Sequence, residues 1–474
     1  MLTKRVGSGK IIWNKNEVNQ METNRELFEK TPLPRALAML AIPTIVSQII
    51  TMVYNLADTV YIGLANDPSK TAASSVAFVL VFAMNCLSNL FGVGGGSLIS
   101  RLLGEKKEKD ASRVSSFSFY GSLVISLVYS ILVCVFLHPF LRLLGATDSS
   151  IGYAADYAVW VVVIGAVPST LALTLSHLLR SEGYAKYSSF GLGLGGVLNI
   201  ILDPLFMFVI LEPGNEVGGA AIATFISNVI VLAYFLVIVY RIRNKTVLSL
   251  NPMLMIPERH HIKSVFAVGF PSALGSFLAC LSGIVLNKLS SAYGDVAVAA
   301  VGIAKKIDML PMNVGMGLCQ GMMPLVAYNY ASGDYKRMKA TSDCARLWGI
   351  AFAVFCIIAF EMFASPLVHL FIGDDATIEL GTKLLRIMCL AVPLMIFNFQ
   401  MSFTFQAMGL GKESLLLSSL RQGIVNIPLM FVMNHFFGLI GLVWTQLISD
   451  AITSLISYAF YMRCYGKLVK KSAE

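Results

Sequence analysis

The chain has 474 residues, of which 56% are hydrophobic and 13% charged, with a formal net charge of +9. A soluble domain carries about 25% charged residues, so this composition excludes an ordinary soluble enzyme. It also excludes a secreted disulfide scaffold. The apolar runs last about 20 residues or more, where barrel strands alternate over about 10. The fold class is therefore an all-α integral membrane protein, with the lipid bilayer as its surroundings.

Residues 1–35 form a polar N-terminal tail without the apolar stretch of a signal peptide. METNRELFEK from Met21 reads as a second start, so the first 20 residues are either a start-site extension or a disordered tail. Twelve apolar segments follow, at 36–63, 71–99, 114–137, 153–178, 187–211, 217–240, 264–290, 298–328, 345–371, 384–408, 414–436 and 439–461. Segments longer than about 20 residues imply tilt, kinks or overhang. A central loop, 241–263, separates helices 1–6 (36–240) from helices 7–12 (264–461), and 462–474 is a C-terminal tail.

Of the 36 Lys and Arg, 27 fall in the tails and even-numbered loops. The odd-numbered loops hold only Lys70, Arg142 and Lys383. That asymmetry places both termini in the cytoplasm and accounts for the positive charge without a nucleic-acid partner. The eight Cys show no paired spacing and mostly lie in apolar runs, as small buried hydrophobes.

The two halves resemble each other. IPTIVSQI at 42–49 matches FPSALGSF at 270–277, aligning Pro43 with Pro271. GEKKEKDAS from Gly104 matches GDYKRMKATS from Gly333, and Val167-Pro168 matches Val392-Pro393. SEGYAK from Ser181 matches AMGLGK from Ala407, and Asn199 aligns with Asn426. VGGAAIATFISN (217–228) matches LIGLVWTQLISD (439–450). Six helices is an even number, so the repeats are parallel, related by an axis along the membrane normal. Two six-helix bundles leave a central cleft, and rocking them opens it to one side at a time.

An Asp in mid-helix costs roughly 2.5–3.5 kcal/mol to insert, so Asp58 in helix 1 and Asp203 in helix 5 need a reason. Asn55 shares a face with Asp58, and Asn199 shares one with Asp203. Thr224 in helix 6 adds a hydroxyl. The C-terminal half carries Leu286 or Asn287 opposite Asp58 and Met430 opposite Asp203, so these acids belong to one half only. Carboxylates, an amide and a hydroxyl are the donors that suit a proton or Na+. Two nearby carboxylates in a low dielectric titrate as a coupled pair. The bland alternative is an Asp203-Pro204 kink with Asp58 serving free backbone groups.

IPTIVSQIITMVYNLADTVYIG in helix 1, LNIILDPLF in helix 5, GGAAIAT in helix 6 and the loop GEKKEKDA together resemble the MATE (multidrug and toxic compound extrusion) family, over residues 33–465. The resemblance implies twelve helices in two lobes and cation-driven export of amphipathic, often cationic drugs, from a bacterial inner membrane. It implies an N-lobe cation site at Asp58, Asn199, Asp203 and Thr224, for H+ or Na+. It ties Pro43 to bending of helix 1; a static kink is the alternative, and Pro271 favours it. Helix 7, VFAVGFPSALGSFLACLSGIVLN, lacks the acid that one branch of the family carries there.

Met309, Met312, Met316 and Met323 recur on one face of helix 8, where flexible thioethers suit a cleft of varied ligands or a gap-filling core. Gln320 and, in helix 10, Asn398, Gln400, Met401 and Gln406 add hydrogen-bonding groups to that expected cleft. Asp450 aligns with Asn228, which suggests packing; Lys305 and Asp308 form a self-neutralising pair. No HExxH, Walker A or GxSxG motif is present, so an enzyme is not expected, and neither is a cofactor. The expected partners are small organic cations, and a monomer suffices. Two rivals remain: a lipid-linked oligosaccharide or lipid flippase, and a non-transporting membrane sensor or scaffold.

Overall fold

A computed structural model describes residues 3–6, 9–12, 26–64, 67–212 and 214–473. Two short strands, β1 (Thr3–Val6) and β2 (Gly9–Ile12), pair antiparallel with Thr3 opposite Ile12. The Met21 start lies outside the described residues. Everything else of size is helical: α1 (Leu33–Leu64), α2 (Pro68–Gly104) and α3 (Glu108–Val135). Next come α4 (Ile151–Ile164 with Ala166–Ser181), α5 (Ala185–Ile210) and α6 (Glu216–Ile242). The second half holds α7 (Arg259–Ser290), α8 (Asp295–Ala331), α9 (Tyr335–His369) and α10 (Asp375–Cys389 with Val392–Ala407). Helices α11 (411–437) and α12 (439–473) complete the chain.

Twelve helices emerge from what length and hydropathy separate less cleanly. Among the described residues, eight helices are long and apolar enough to cross a membrane, and α4 and α10 are crossings bent by 52° and 45°. One of the eight, Gly411–Leu468, has 58 residues, about 87 Å of helix and too long for one crossing. It folds back at Gly438, whose φ of 62° and ψ of −147° suit only glycine. The twelfth is α8, diluted by polar residues but packed on α1, α2, α9 and α10.

Local chemistry sets the ends. Asp67 caps α2 by accepting from the Ser69 N–H at 2.8 Å, with Pro68 in the first turn. Asp374 accepts from the Thr377 N–H and hydroxyl at 2.9 and 2.6 Å at the start of α10. Pro204 lacks the N–H that would bond a carbonyl one turn back, and α5 widens into a π-helical turn at Phe206–Ile210. Further π turns lie in α4 at Val159–Ile164 and in α11 at Leu420–Ile424.

The apolar core shows how the halves meet. On the side bearing the termini one cluster joins Leu37, Leu40 and Ala41 of α1 to Val268 of α7, Met322 and Leu325 of α8 and Phe405 of α10. Leu27 and Phe28, from the helical turn before α1, are buried in it, and Phe28 stacks on Tyr328 at 4.9 Å. On the far side the halves keep separate clusters. One is built from Ile62, Leu80, Val133 and Met207, the other from Leu286, Val301, Phe360 and Met430. The helices are therefore sealed together near the termini and part toward the opposite face.

Candidate functional site

The N-terminal half gathers its polar groups beside that far-side opening. Helix α5 packs against both α1 and α6. Asn199 of α5 donates a 3.0 Å hydrogen bond to the Thr224 hydroxyl of α6. One turn on, Asp203 is fully buried, and neither of its carboxylate oxygens has a hydrogen-bond partner among the described residues. Asp58 comes from α1, close enough to interact electrostatically with Asp203, and its buried Oδ1 is also unpartnered. The Asn199 Oδ1 is likewise buried without a hydrogen-bond partner among the described residues.

Two tyrosines complete the cluster. Tyr54 of α1 and Tyr157 of α4 both lie within electrostatic reach of Asp58 and Asp203, and Tyr157 lies near Thr224. The structure thus gathers Asp58, Asn199, Asp203 and Thr224. Asn55 makes no side-chain hydrogen bond to the cluster among the described residues; its backbone carbonyl accepts from the Thr59 hydroxyl at 2.9 Å. The sequence pointed past both tyrosines because phenols are common in apolar helices. Their spacing was a usable signal for one of them, since Tyr54 lies one turn before Asp58.

A fully buried, unpartnered carboxylate beside a half-buried one is not a stable arrangement of two bare charges in a low dielectric. It calls for a counter-charge that is not built into the chain. The oxygens available (two carboxylates, an amide and a hydroxyl) match a proton or a small hard cation.

The C-terminal half carries a related but different network. Asn426, the repeat counterpart of Asn199, donates to the Ser282 hydroxyl at 2.9 Å and to Gln446 at 3.4 Å. Here the acid is Asp450, fully buried, and it is paired: Arg421 Nε lies 2.6 Å from one oxygen and Gln446 donates to the other at 2.8 Å. Asn398 adds bonds to the Asp450 carbonyl at 2.9 Å and carboxylate at 3.3 Å. The Arg421 guanidinium stacks over Phe399 at 4.4 Å.

The residues expected in the cleft fall in several places. Gln320 sits at the seam between halves and accepts a 2.8 Å hydrogen bond from Arg180. Gln400 is tied inside the second half, donating to the Ser342 carbonyl at 3.0 Å, and Met401 is fully buried in the shared core. Gln406 reaches Ser414 at 3.2 Å, and its carbonyl accepts from Ser97 of α2 at 2.6 Å. Met312 packs on Val392, Met395 and Ile396. Met309 and Met316 are half-buried in α8. Pro43 and Pro271 lie inside continuous helices, α1 and α7. Arg180 and Arg421 escaped the sequence reading. One was counted as a loop charge, and the partner of the other lies 29 residues away in the chain.

The family model MatE matches the chain twice, over residues 43–205 and 271–432, beginning at Pro43 and at Pro271. The chain belongs to the MATE family. Its double match is the internal repeat. The multidrug export protein MepA of Staphylococcus aureus (strain MRSA252) is 32% identical over 447 residues, covering 94% of this chain and 97% of that protein. MepA of Staphylococcus saprophyticus is 31% identical over the same coverage. The crystal structure of a MATE transporter in complex with MaL6 superposes with a TM-score of 0.88 at 23% identity, covering 94% of this chain and 99% of that one. The fold is accordingly that of MATE transporters, a multi-pass membrane protein.

Proposed function

We propose that this protein is a secondary active multidrug exporter of the plasma membrane, exchanging amphipathic organic cations for H+ or Na+ by alternating access. Its close relatives are named multidrug export proteins. The observation that carries the coupling is Asp203: fully buried, both oxygens unpartnered, beside a half-buried Asp58 whose Oδ1 is also unpartnered. The cluster is loaded by a proton or Na+ from outside and emptied inside, and its charge state biases which side of the cleft is open. With the basic tails in the cytoplasm, the sealed side faces inward and the open side outward. Two lobes, 36–240 and 264–461, rock against each other, and a monomer is sufficient.

Met309 and Met316 supply adaptable apolar contact in the cleft, and the unpaired acids of the first half attract a cationic drug. Asn55 lines the approach to Asp58. Pro43 loosens α1 next to the seam, so that bending there links the cation site to closure. Substrate cation and coupling cation then compete for the same negative field, which is the physical requirement for exchange.

The test is uptake of ethidium into inside-out proteoliposomes under an imposed pH gradient and, separately, a Na+ gradient. Gradient-driven uptake that disappears in Asp203→Asn supports the reading and names the ion. No uptake with either gradient, from folded protein, overturns it and favours the flippase.

A further inference from the structure

The two polar clusters occupy repeat-related positions. The spacing that aligns Pro43 with Pro271 places Tyr54 opposite Ser282. Asn199 corresponds to Asn426, and Thr224 to Gln446. In each half the Asn amide bonds to the helix-6-type partner, Thr224 in one and Gln446 in the other. What differs is the charge. The first half has two acids and no basic group hydrogen-bonded to them among the described residues. The second half has Asp450 bridged by Arg421, and nearby Asp308 interacts with Lys305, Arg421 and Asp450. The Asp450 charge is thus cancelled by a basic side chain of the chain itself, while Asp308, whose buried Oδ1 has no hydrogen-bond partner among the described residues, lies within electrostatic reach of Lys305 and Arg421.

We infer that Arg421 is a built-in cation, holding in the second half the place that the exchangeable cation takes in the first. Arg421 lies in the π turn of α11 and is buried, where the aligned Leu194 of the first half has no charge. Its bond to one Asp450 oxygen and the Gln446 bond to the other leave neither carboxylate oxygen unpartnered, and Phe399 stacks on the guanidinium. The second half is therefore a cation site locked in its loaded state, and the protein carries one exchangeable site where the repeat architecture provides two. This inference rests on the exchange reading of Asp58 and Asp203.

The groups facing Asp450 are Arg421 from α11, Gln446 from its own helix, Asn398 from α10, and Asp308 with Lys305 from α8; Cys356 of α9 faces Asp308. Removing the Arg421 charge takes from Asp450 its counter-charge, to be replaced by a proton or Na+. Detergent-solubilised protein is titrated with ethidium while proton release is read with a pH indicator, at several pH values and Na+ concentrations. Wild type is expected to show a single step, lost in Asp203→Asn. Arg421→Met is expected to gain about one further exchangeable proton or Na+ and a second step in the pH profile. Arg421→Lys is expected to restore the wild-type profile. Folded Arg421→Met with the wild-type profile and stoichiometry overturns the proposal.

If Arg421→Met does not fold, the double variant Asp58→Asn/Asp203→Asn decides. Ion release that persists in it locates an exchangeable site in the second half and overturns the proposal; its complete loss supports it. Undiminished coupling in Asp203→Asn alone removes the first-half reading, while the Arg421→Met comparison is still read on its own.

Discussion

Arg180, in the last turn of α4, donates a 2.8 Å hydrogen bond to the Gln320 amide oxygen of α8. This bond crosses from one half of the chain to the other on the side bearing the termini. Ser97 of α2, which donates to the Gln406 carbonyl at 2.6 Å, crosses at the same level. Arg180 also reaches Ser176 and Ser188 at 3.4 and 3.2 Å, but no carboxylate among the described residues pairs with it. Such a contact holds the seam shut while remaining breakable, because Arg180 keeps its serine partners when Gln320 leaves.

Gln320→Ala should therefore loosen the seam. A hydrogen bond to a charged group contributes about 1.5–3 kcal/mol, so the open population of that side should rise roughly tenfold or more. The check is the rate at which a single cysteine placed at Ser97, in a cysteine-free background, reacts with a thiol reagent from the terminus side. An unchanged rate would show that the bond does not govern opening.

Asp58→Asn and Asp203→Asn should each reduce gradient-driven export by at least about tenfold while leaving membrane insertion intact. Replacing an unpaired buried carboxylate with an amide removes a charge that the fold does not need, so stability should hold or rise. Thermal unfolding in detergent, measured beside transport, separates the two effects. A variant that both unfolds and fails to transport would point to the acids as structural groups.

Much of this was legible in the sequence, and the omissions have physical causes. The apolar runs located the helices because bilayer thickness imposes their length. They misjudged ends wherever a helix runs on as an amphipathic extension. Helix α9 begins at Tyr335, ten residues before its apolar run, with Met338, Thr341 and Ser342 buried and Lys336 exposed. The acids Asp58 and Asp203 stood out because a lone carboxylate in an apolar run is costly. Arg421 was equally unusual in its run, but its meaning depends on Asp450. That contact exists only after α11 folds back on α12 at Gly438.

Gly269→Ala should disfavour the sealed seam. An added Cβ at Gly269 of α7 would land on the Leu90 carbonyl oxygen of α2, and one at Gly94 would meet the Val265 carbonyl. Both are backbone contacts between the halves, so no side chain can swing aside. Overpacking of this kind costs about 1–3 kcal/mol, and it is borne only by the conformation in which α2 and α7 touch. Spin-label distances between α2 and α7 at the terminus side should lengthen in the variant. Unchanged distances would mean that α2 and α7 yield locally without parting.

Glu182 gives the fold a pH dependence of its own. It lies in the turn after α4, outside the spans, only 5% exposed, and accepts a 2.5 Å hydrogen bond from Thr246 in the loop after α6. Burial pushes its carboxyl up to about 8 from the ordinary 4.5, against the opposing pull of the Thr246 bond. Between those values the folded protein keeps a proton that the unfolded chain releases, so stability falls as pH rises across that window. The stability is fully present below about 4.5 and is lost progressively toward about 8. Glu182→Gln cannot lose that proton. Its melting temperature in detergent should fall less than that of wild type between about pH 5 and about pH 9. The same anchor fixes where the loop between the halves leaves the first one, since Tyr184 also bonds the Lys245 carbonyl at 2.8 Å. Raising the pH should therefore increase proteolytic cleavage within 241–263 in wild type more than in Glu182→Gln. Equal slopes and equal cleavage in the two proteins would remove Glu182 as the titrating group.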